Sequence, residues 1–229
     1  MTKNTALFES KAISDQDSGG INISRRKFLN YAGASTGLVL LAACSKNDTS
    51  GGVDLGSGDI GLLNYAYALE QLEAAFYTQA VSTPYSNITA DEKIFLTDIR
   101  DHEIAHREFF KNALAGSAIQ ALEVDFTKID FTSRASVLGT AMAFEDLGVS
   151  AYDGAGYLFK SATYLLLAGK IVSVEARHAA LIRELVSPNT FLGDQVDGSS
   201  VNISRSPSEV LAIAGTYIKT KINASNLPS

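Results

Sequence analysis

The sequence contains no tryptophan, only one cysteine and only four prolines among its 229 residues. A single cysteine cannot form a disulfide within the chain, so disulfide-stabilised folds are excluded. The scarcity of proline, together with abundant alanine and leucine, favours a helical globular protein. Acidic residues outnumber basic ones, 25 to 19, and the net charge of −6 argues against a nucleic-acid partner, which would require a basic face.

Residues 1–43 have the features of an export signal. The stretch SRRKFL, residues 24–29, resembles the twin-arginine export consensus, and the apolar region that follows is too short to span a bilayer. The region ends in LAAC, which resembles a bacterial lipobox, where the cysteine becomes the lipidated first residue after cleavage. We therefore expect an exported protein of the periplasm or envelope, anchored to the membrane through a lipidated Cys44. The alternative is an uncleaved anchor with a chance cysteine.

The remainder of the chain is predicted to be a helical bundle on a tether. Residues 44–58 are polar and rich in glycine and serine, which is typical of a flexible tether, and the domain spans residues 59–229. Apolar residues spaced by three and four predict helices over residues 59–79, 89–114, 133–159 and 162–186, with a short fifth helix over 207–219. One long connection separates two closely linked helix pairs. This pattern predicts an all-α four-helix bundle with one long crossover, in which residues 123–131 form a packing strap.

The three histidines lie in two of these helices. Glu103 precedes His106 by three residues, and both fall on the apolar face of the second helix. Glu175 and His178 repeat this arrangement in the fourth helix, whereas His102 is predicted to be an ordinary residue of the helix surface. In all, six ionisable residues occupy positions where the pattern requires apolar ones: Glu70, Glu103, His106, Glu145, Glu175 and His178. This placement predicts a site inside the bundle.

The charge of that site requires compensation. Burial of an ionised carboxylate without a partner costs several kcal/mol, and the neighbouring arginines lie off the apolar faces. Two divalent metal ions would balance the four carboxylates, and the neutral imidazoles would complete the coordination. Oxygen and imidazole ligands suit iron or manganese. Asp101 and Asp146 are predicted to be solvated or to lie beside the ligands rather than to bind metal.

An internal repeat supports the choice of ligands. Residues 68–77, ALEQLEAAFY, align without gaps with residues 143–152, AFEDLGVSAY. Glu70 then aligns with Glu145, whereas Glu73 aligns with Gly148. Glu70 is therefore the predicted ligand. Glu73 remains either an acid next to the ligands or an alternative ligand.

These residues resemble the ferritin-like superfamily of dimetal-carboxylate proteins, in which two helices give one Glu each and two give Glu-x-x-His. The resemblance covers residues 59–186 and, with the export signal, is closest to secreted bacterial ferritin-like domain proteins. It extends to a tyrosine seven residues after each single Glu, as in bacterioferritin-like and rubrerythrin-like proteins. Tyr77 and Tyr152 are accordingly either core aromatics or catalytic residues that support the ligands. The chain lacks the cysteine pair of a rubredoxin-like electron-transfer domain.

The resemblance implies three functions. A dimetal oxidoreductase would use dioxygen or peroxide as its small-molecule substrate, with ferroxidase, peroxidase or catalase-like activity. A non-catalytic envelope protein would only sequester metal. In a structural role, the ions would only stabilise the core. The sequence leaves the oligomeric state open and allows a homodimer.

Overall fold

The computed structural model describes residues 51–229, so the predicted export signal, Cys44 and the first part of the predicted tether lie outside the described residues. Four long helices, one short helix and two short strands follow one another in the order β1 (Val53–Asp54), α1 (Gly58–Ser82), α2 (Ala90–Leu114), α3 (Arg134–Gly156), α4 (Ala162–Val186), α5 (Pro207–Ala214) and β2 (Ile222–Asn223). The predicted class, an all-α four-helix bundle with a short fifth helix, is confirmed. Among the helices of residues 51–229, none is both long and apolar enough to cross a membrane.

The helix ends follow local sequence signals. Thr89 begins α2 with a capping box, in which its side chain accepts from the backbone of Glu92 and the Glu92 carboxylate accepts from the backbone of Thr89. Ser206 and Glu209 form the same motif at the start of α5. The predicted end of this helix at residue 219 is wrong. A 3₁₀ turn, Gly215–Tyr217, follows Ala214, and Ile218 is then extended because it pairs with Val124 of the crossover.

The bundle consists of two helical hairpins. Helix α1 packs mainly against α2, and α3 packs mainly against α4, while α1 and α3 meet along the centre of the bundle. Helix α1 is buried on nearly all sides, and its Phe76 has no exposed surface. Edge-to-face contacts join Phe76 to Phe126 of the crossover and to Phe144 of α3. The four helices therefore enclose a core in which α1 is the most central element.

The long crossover between α2 and α3 lies against α1. The Asn64 side chain donates to the backbone oxygens of Leu55 and Ser117 and accepts from the backbone N–H of Ile119. Further along α1, the Gln71 side-chain oxygen accepts from Leu122 N–H at 2.9 Å. These buried amides satisfy backbone groups of an irregular segment, which would otherwise lose hydrogen bonds to water. The crossover thus covers α1, and the contacts of Phe126 and Phe131 with Phe76 place the predicted strap, residues 123–131, against the same helix.

The packed part of the chain begins before the predicted domain boundary at residue 59. Val53 pairs in parallel with Ile222, and Leu55, which follows the strand, has no exposed surface. Because residues 44–58 are otherwise mostly polar, Val53 and Leu55 alone do not distinguish this segment from a flexible tether in the sequence. Burial of a leucine side chain contributes about 1.5–3 kcal/mol relative to exposure, which helps to stabilise the short strand pair.

Candidate metal centre

The six ionisable residues predicted from the sequence come together in the middle of the bundle. Each of the four helices contributes: α1 carries Glu70, α2 carries Glu103 and His106, α3 carries Glu145, and α4 carries Glu175 and His178. The four glutamates have no exposed surface and His178 is buried, whereas the His106 side chain is 14% exposed. Residues three apart lie on the same face of a helix, so the Glu and the His of each pair on α2 and α4 both point into the bundle.

The potential ligand atoms form two overlapping clusters. Glu70, Glu103, His106 and Glu175 form one cluster, and Glu103, Glu145, Glu175 and His178 form the other, with the atoms of each lying within 4.8 Å of one another. Each histidine approaches most closely the shared glutamate of the opposite hairpin. His106 Nδ1 is 2.8 Å from Glu175 Oε1, and His178 Nδ1 is 2.8 Å from Glu103 Oε1. Only Glu103 and Glu175 belong to both clusters.

The two shared glutamates present one oxygen to each histidine. Glu103 directs Oε1 toward His178 and Oε2 toward His106, the second contact being 3.6 Å. Glu175 directs Oε1 toward His106 and Oε2 toward His178, which is 3.8 Å away. Glu70 and Glu145 each approach a single histidine, at 3.4 and 3.5 Å. The arrangement therefore distinguishes two central carboxylates from two peripheral ones.

The donor atoms of the centre fit metal ions. Eight buried oxygen and nitrogen atoms of these six residues have no hydrogen-bond partner in the described part of the chain, including both oxygens of Glu103 and Glu175. The close contacts between the imidazoles and the carboxylates lack hydrogen-bond geometry. Unsatisfied buried polar atoms are rare because each loses its interactions with water. Two divalent ions would satisfy these atoms and neutralise four carboxylates.

The protonation states reflect the crowded charges. Burial opposes a charged imidazole, but the nearby Glu103, Glu145 and Glu175 outweigh it and raise the pKa of His178 to about 12. Burial likewise opposes a charged His106, but the nearby Glu103, Glu175 and Glu70 outweigh it and raise the pKa of this imidazole. Burial raises the pKa of Glu145 to about 7, whereas the two histidines overcome burial at Glu175 and lower its pKa to about 2. In the metal-free protein, protonated histidines thus compensate the carboxylates, and bound metal would displace those protons.

Arginines do not supply the counter-charge. The four arginines near the ligands in sequence have partners elsewhere: Arg100 pairs with Asp101, Arg107 with Glu108, Arg177 with the backbone of Ser173, and Arg183 with Asp146 and Asp194. Asp101 and Asp146, which the sequence places outside the ligand set, both engage in these surface or partly buried pairs. The carboxylates of the centre consequently have only the two histidines as cationic partners among the described residues.

Tyr77 and Tyr152 form hydrogen bonds across the two hairpins. The Tyr77 hydroxyl donates to Glu145 Oε1 at 2.5 Å, and the Tyr152 hydroxyl donates to Glu70 Oε1. Each tyrosine thus supports the peripheral glutamate of the other repeat and leaves that glutamate's Oε2 directed toward a histidine. Burial and the neighbouring glutamate raise the pKa of both phenols well above the ordinary range, so both remain protonated donors.

Glu73 is buried but belongs to neither cluster. A Cβ at position 148 would lie 3.1 Å from Glu73 Oε1, so glycine at the aligned position makes room for this carboxyl group. Burial, followed by the charges of Glu103 and Glu175, raises the Glu73 pKa well above its ordinary value. In the metal-free protein this shift favours a neutral Glu73 next to the centre, and the structure places Glu70 rather than Glu73 among the clustered oxygens.

His102 is the residue of the site that the sequence did not indicate. Its Nδ1 lies 2.8 Å from Nε2 of His178, although its own side chain is exposed on α2. Burial and the nearby His178 lower the His102 pKa, which favours a neutral ring. A spacing of four residues from His106 was the available signal, since it places both rings on one side of the helix.

Comparison with known proteins agrees with this geometry. Residues 58–188, more than half of the chain, match the family model described as the ferritin-like domain. A search of the curated proteins finds no significant match. The matched range begins with α1 and ends just after α4, so it includes all four helices that contribute to the buried centre. The chain belongs to the ferritin-like domain family.

Proposed function

We propose that this chain is an exported, lipid-anchored ferritin-like protein that holds two iron or manganese ions and reacts with dioxygen or peroxide. The observation that carries the proposal is the arrangement of Glu103 and Glu175. Each is fully buried, has two unpartnered oxygens and presents one oxygen to each histidine. Carboxylates so placed can hold two ions at once, as a dinuclear centre requires.

The remaining residues would complete the two sites. Glu70 and His106 would hold one ion, and Glu145 and His178 the other, each together with the shared carboxylates. The four carboxylates favour hard ions such as manganese, and imidazole nitrogen also suits iron. Tyr77 and Tyr152 would hold the peripheral carboxylates in place by their hydrogen bonds. Their side chains would also exclude water from the centre, because both are buried.

The proposed chemistry is a two-electron reaction. Two bound iron or manganese ions would supply two electrons, which with two protons reduce dioxygen to hydrogen peroxide, or hydrogen peroxide to two molecules of water. The four buried carboxylates would stabilise the higher charge of the oxidised ions, because each holds its negative charge close to them. The reductant that restores the ions would have to come from outside the chain, since the sequence has no cysteine pair for a rubredoxin-like site.

Oxidation of ferrous protein tests this activity. Anaerobic protein loaded with ferrous iron is mixed with dioxygen or hydrogen peroxide, and the rise of near-ultraviolet ferric absorbance is followed. We expect the bound iron to oxidise at least about tenfold faster than the same iron free in buffer, because fixed carboxylates stabilise the ferric product. Glu103→Ala, which removes a shared carboxylate, should return the rate to that of free iron. Bound iron that oxidises no faster than free iron would instead indicate a sequestering protein.

Export and anchoring are tested at Cys44. We expect the mature protein to begin at this residue and to carry lipid on it, as the lipobox indicates. Cys44→Ser should release the protein from the membrane fraction, because the residue that would carry the lipid is lost. Mass spectrometry of the purified protein measures both properties. A wild-type chain that retains residues 1–43 and has no lipid would contradict the proposal.

A further inference from the structure

We propose that His102 is a positioning residue that fixes the ring of His178 for metal binding at one of the two sites. The inference rests on the proposed dinuclear centre and adds a residue outside its ligand set. The two consecutive residues His102 and Glu103 of α2 contact opposite nitrogens of the His178 ring. Glu103 Oε1 lies 2.8 Å from Nδ1, and His102 Nδ1 lies 2.8 Å from Nε2.

The geometry of the two rings is that of a hydrogen bond within a common plane. Their planes differ by 15°, and their centroids are 5.1 Å apart. This separation is what two coplanar imidazoles require when they meet edge to edge through nitrogen atoms 2.8 Å apart. Ring nitrogens donate and accept in the plane of the ring, so the contact is a well-aligned hydrogen bond rather than a face-to-face stack.

The direction of this hydrogen bond follows from the requirements of the metal site. A metal ion binds an imidazole nitrogen that carries no proton, and in His178 the nitrogen facing the carboxylates is Nδ1. The ring proton must then lie on Nε2, where it donates to His102 Nδ1. His102 in turn carries its own proton on Nε2, which faces away from this bond. His102 thus selects the tautomer of His178 in which Nδ1 is available to the ion.

The two halves of the centre differ in this respect. The contacts of His106 with carboxylates within residues 51–229 all involve its Nδ1, which faces Glu70, Glu103 and Glu175. In the alignment of the Glu-x-x-His pairs, the position equivalent to His102 is Val174, which has no acceptor in its side chain. His102 therefore acts on the site that contains Glu145 and His178, and leaves the site that contains Glu70 and His106 without such support.

Manganese binding to the full-length protein and its variants tests this role. His102→Phe keeps a planar ring but removes the acceptor, and loss of such an outer hydrogen bond typically weakens metal binding by about 10–100-fold. We expect one of two ions to bind about 10–100-fold more weakly in this variant, while the other is unaffected. His102→Asn, whose side-chain oxygen can replace Nδ1 as acceptor, should restore binding. Val174→Ala, the matched change in the other hairpin, should leave both ions bound.

A direct measurement complements the binding experiment. In nitrogen-15-labelled zinc-loaded protein, we expect a scalar coupling between His178 Nε2 and His102 Nδ1, with the proton on the former; a role in packing alone would give neither. Two ions bound at wild-type affinity by His102→Phe, or the absence of this coupling, would overturn the inference and leave the proposed function intact. Wild-type protein that binds neither manganese nor zinc would overturn the proposed function, and this inference with it.

Discussion

Substitution of Glu175 by alanine should abolish binding of both metal ions, whereas substitution of Glu70 should remove only one. Glu175 belongs to both clusters and presents separate oxygens to His106 and His178. Its loss would deprive each ion of a ligand and remove one of the charges that balance the pair. Glu70 belongs to one cluster, and only its Oε2 is directed toward a histidine, because its other oxygen accepts from Tyr152.

The measurement is metal content after identical reconstitution with excess manganese and removal of unbound ions. Wild-type protein should retain two ions per chain, Glu70→Ala one and Glu175→Ala none. The apo variants should still fold, because removing a buried carboxylate reduces repulsion among the others. Circular dichroism verifies that the helices persist. Glu92, a buried glutamate of α2 outside both clusters, provides the control, and Glu92→Ala should retain both ions. One ion retained by Glu175→Ala would contradict the shared role.

The helix positions of the candidate ligands could be predicted because helix geometry is local. A spacing of three residues places Glu103 with His106 on one face, whatever the rest of the chain does. Charged residues at apolar positions then indicate an interior site, since burial without compensation is costly. The internal alignment also favoured Glu70 over Glu73, and the structure brings Glu70 and not Glu73 into the clusters.

The hydrogen bonds around these residues could not be predicted because they depend on how the two hairpins dock. Tyr77 lies in the same helix as Glu70 but donates to Glu145, 68 residues away. His102 and His178 are separated by 76 residues and meet only because α2 and α4 approach each other in the bundle. Sequence spacing on a single helix contains no information on such pairs. The residues that form hydrogen bonds to the candidate ligands are thus harder to predict from the sequence than the candidate ligands themselves.

The early start of the packed domain has a similar explanation. Val53 and Leu55 lie in a stretch dominated by glycine, serine and aspartate, and two apolar residues are too few to predict a strand. Val53 adopts a strand conformation only by pairing with β2, because its partner Ile222 lies at the other end of the domain. Pairing over such a distance is a property of the folded bundle, which supplies the surface that covers Leu55.

Manganese loading should raise the unfolding temperature of the wild-type protein by about 10–20 °C. A ligand present at 100 times its dissociation constant stabilises the folded state by about 2.7 kcal/mol per site, and each kcal/mol shifts the midpoint by about 2–4 °C in a domain of this size. Two sites together produce the expected range. The unfolded chain contributes little competition, because the six ligand residues are spread over four helices and are not gathered before folding.

Two substitutions in α1 decide which of its acids is responsible for this stabilisation. Glu70→Ala should lose about half of the shift or more, because one ion loses a charged ligand. Glu73→Gln should keep nearly all of it. Glu73 lies outside both clusters, and glutamine keeps the shape of its side chain in the space opposite Gly148. Thermal unfolding with and without manganese measures the shift in each protein. If Glu73→Gln loses the shift and Glu70→Ala keeps it, the ligand assignment in α1 is displaced by one helical turn, and the alignment of the two repeats is wrong with it.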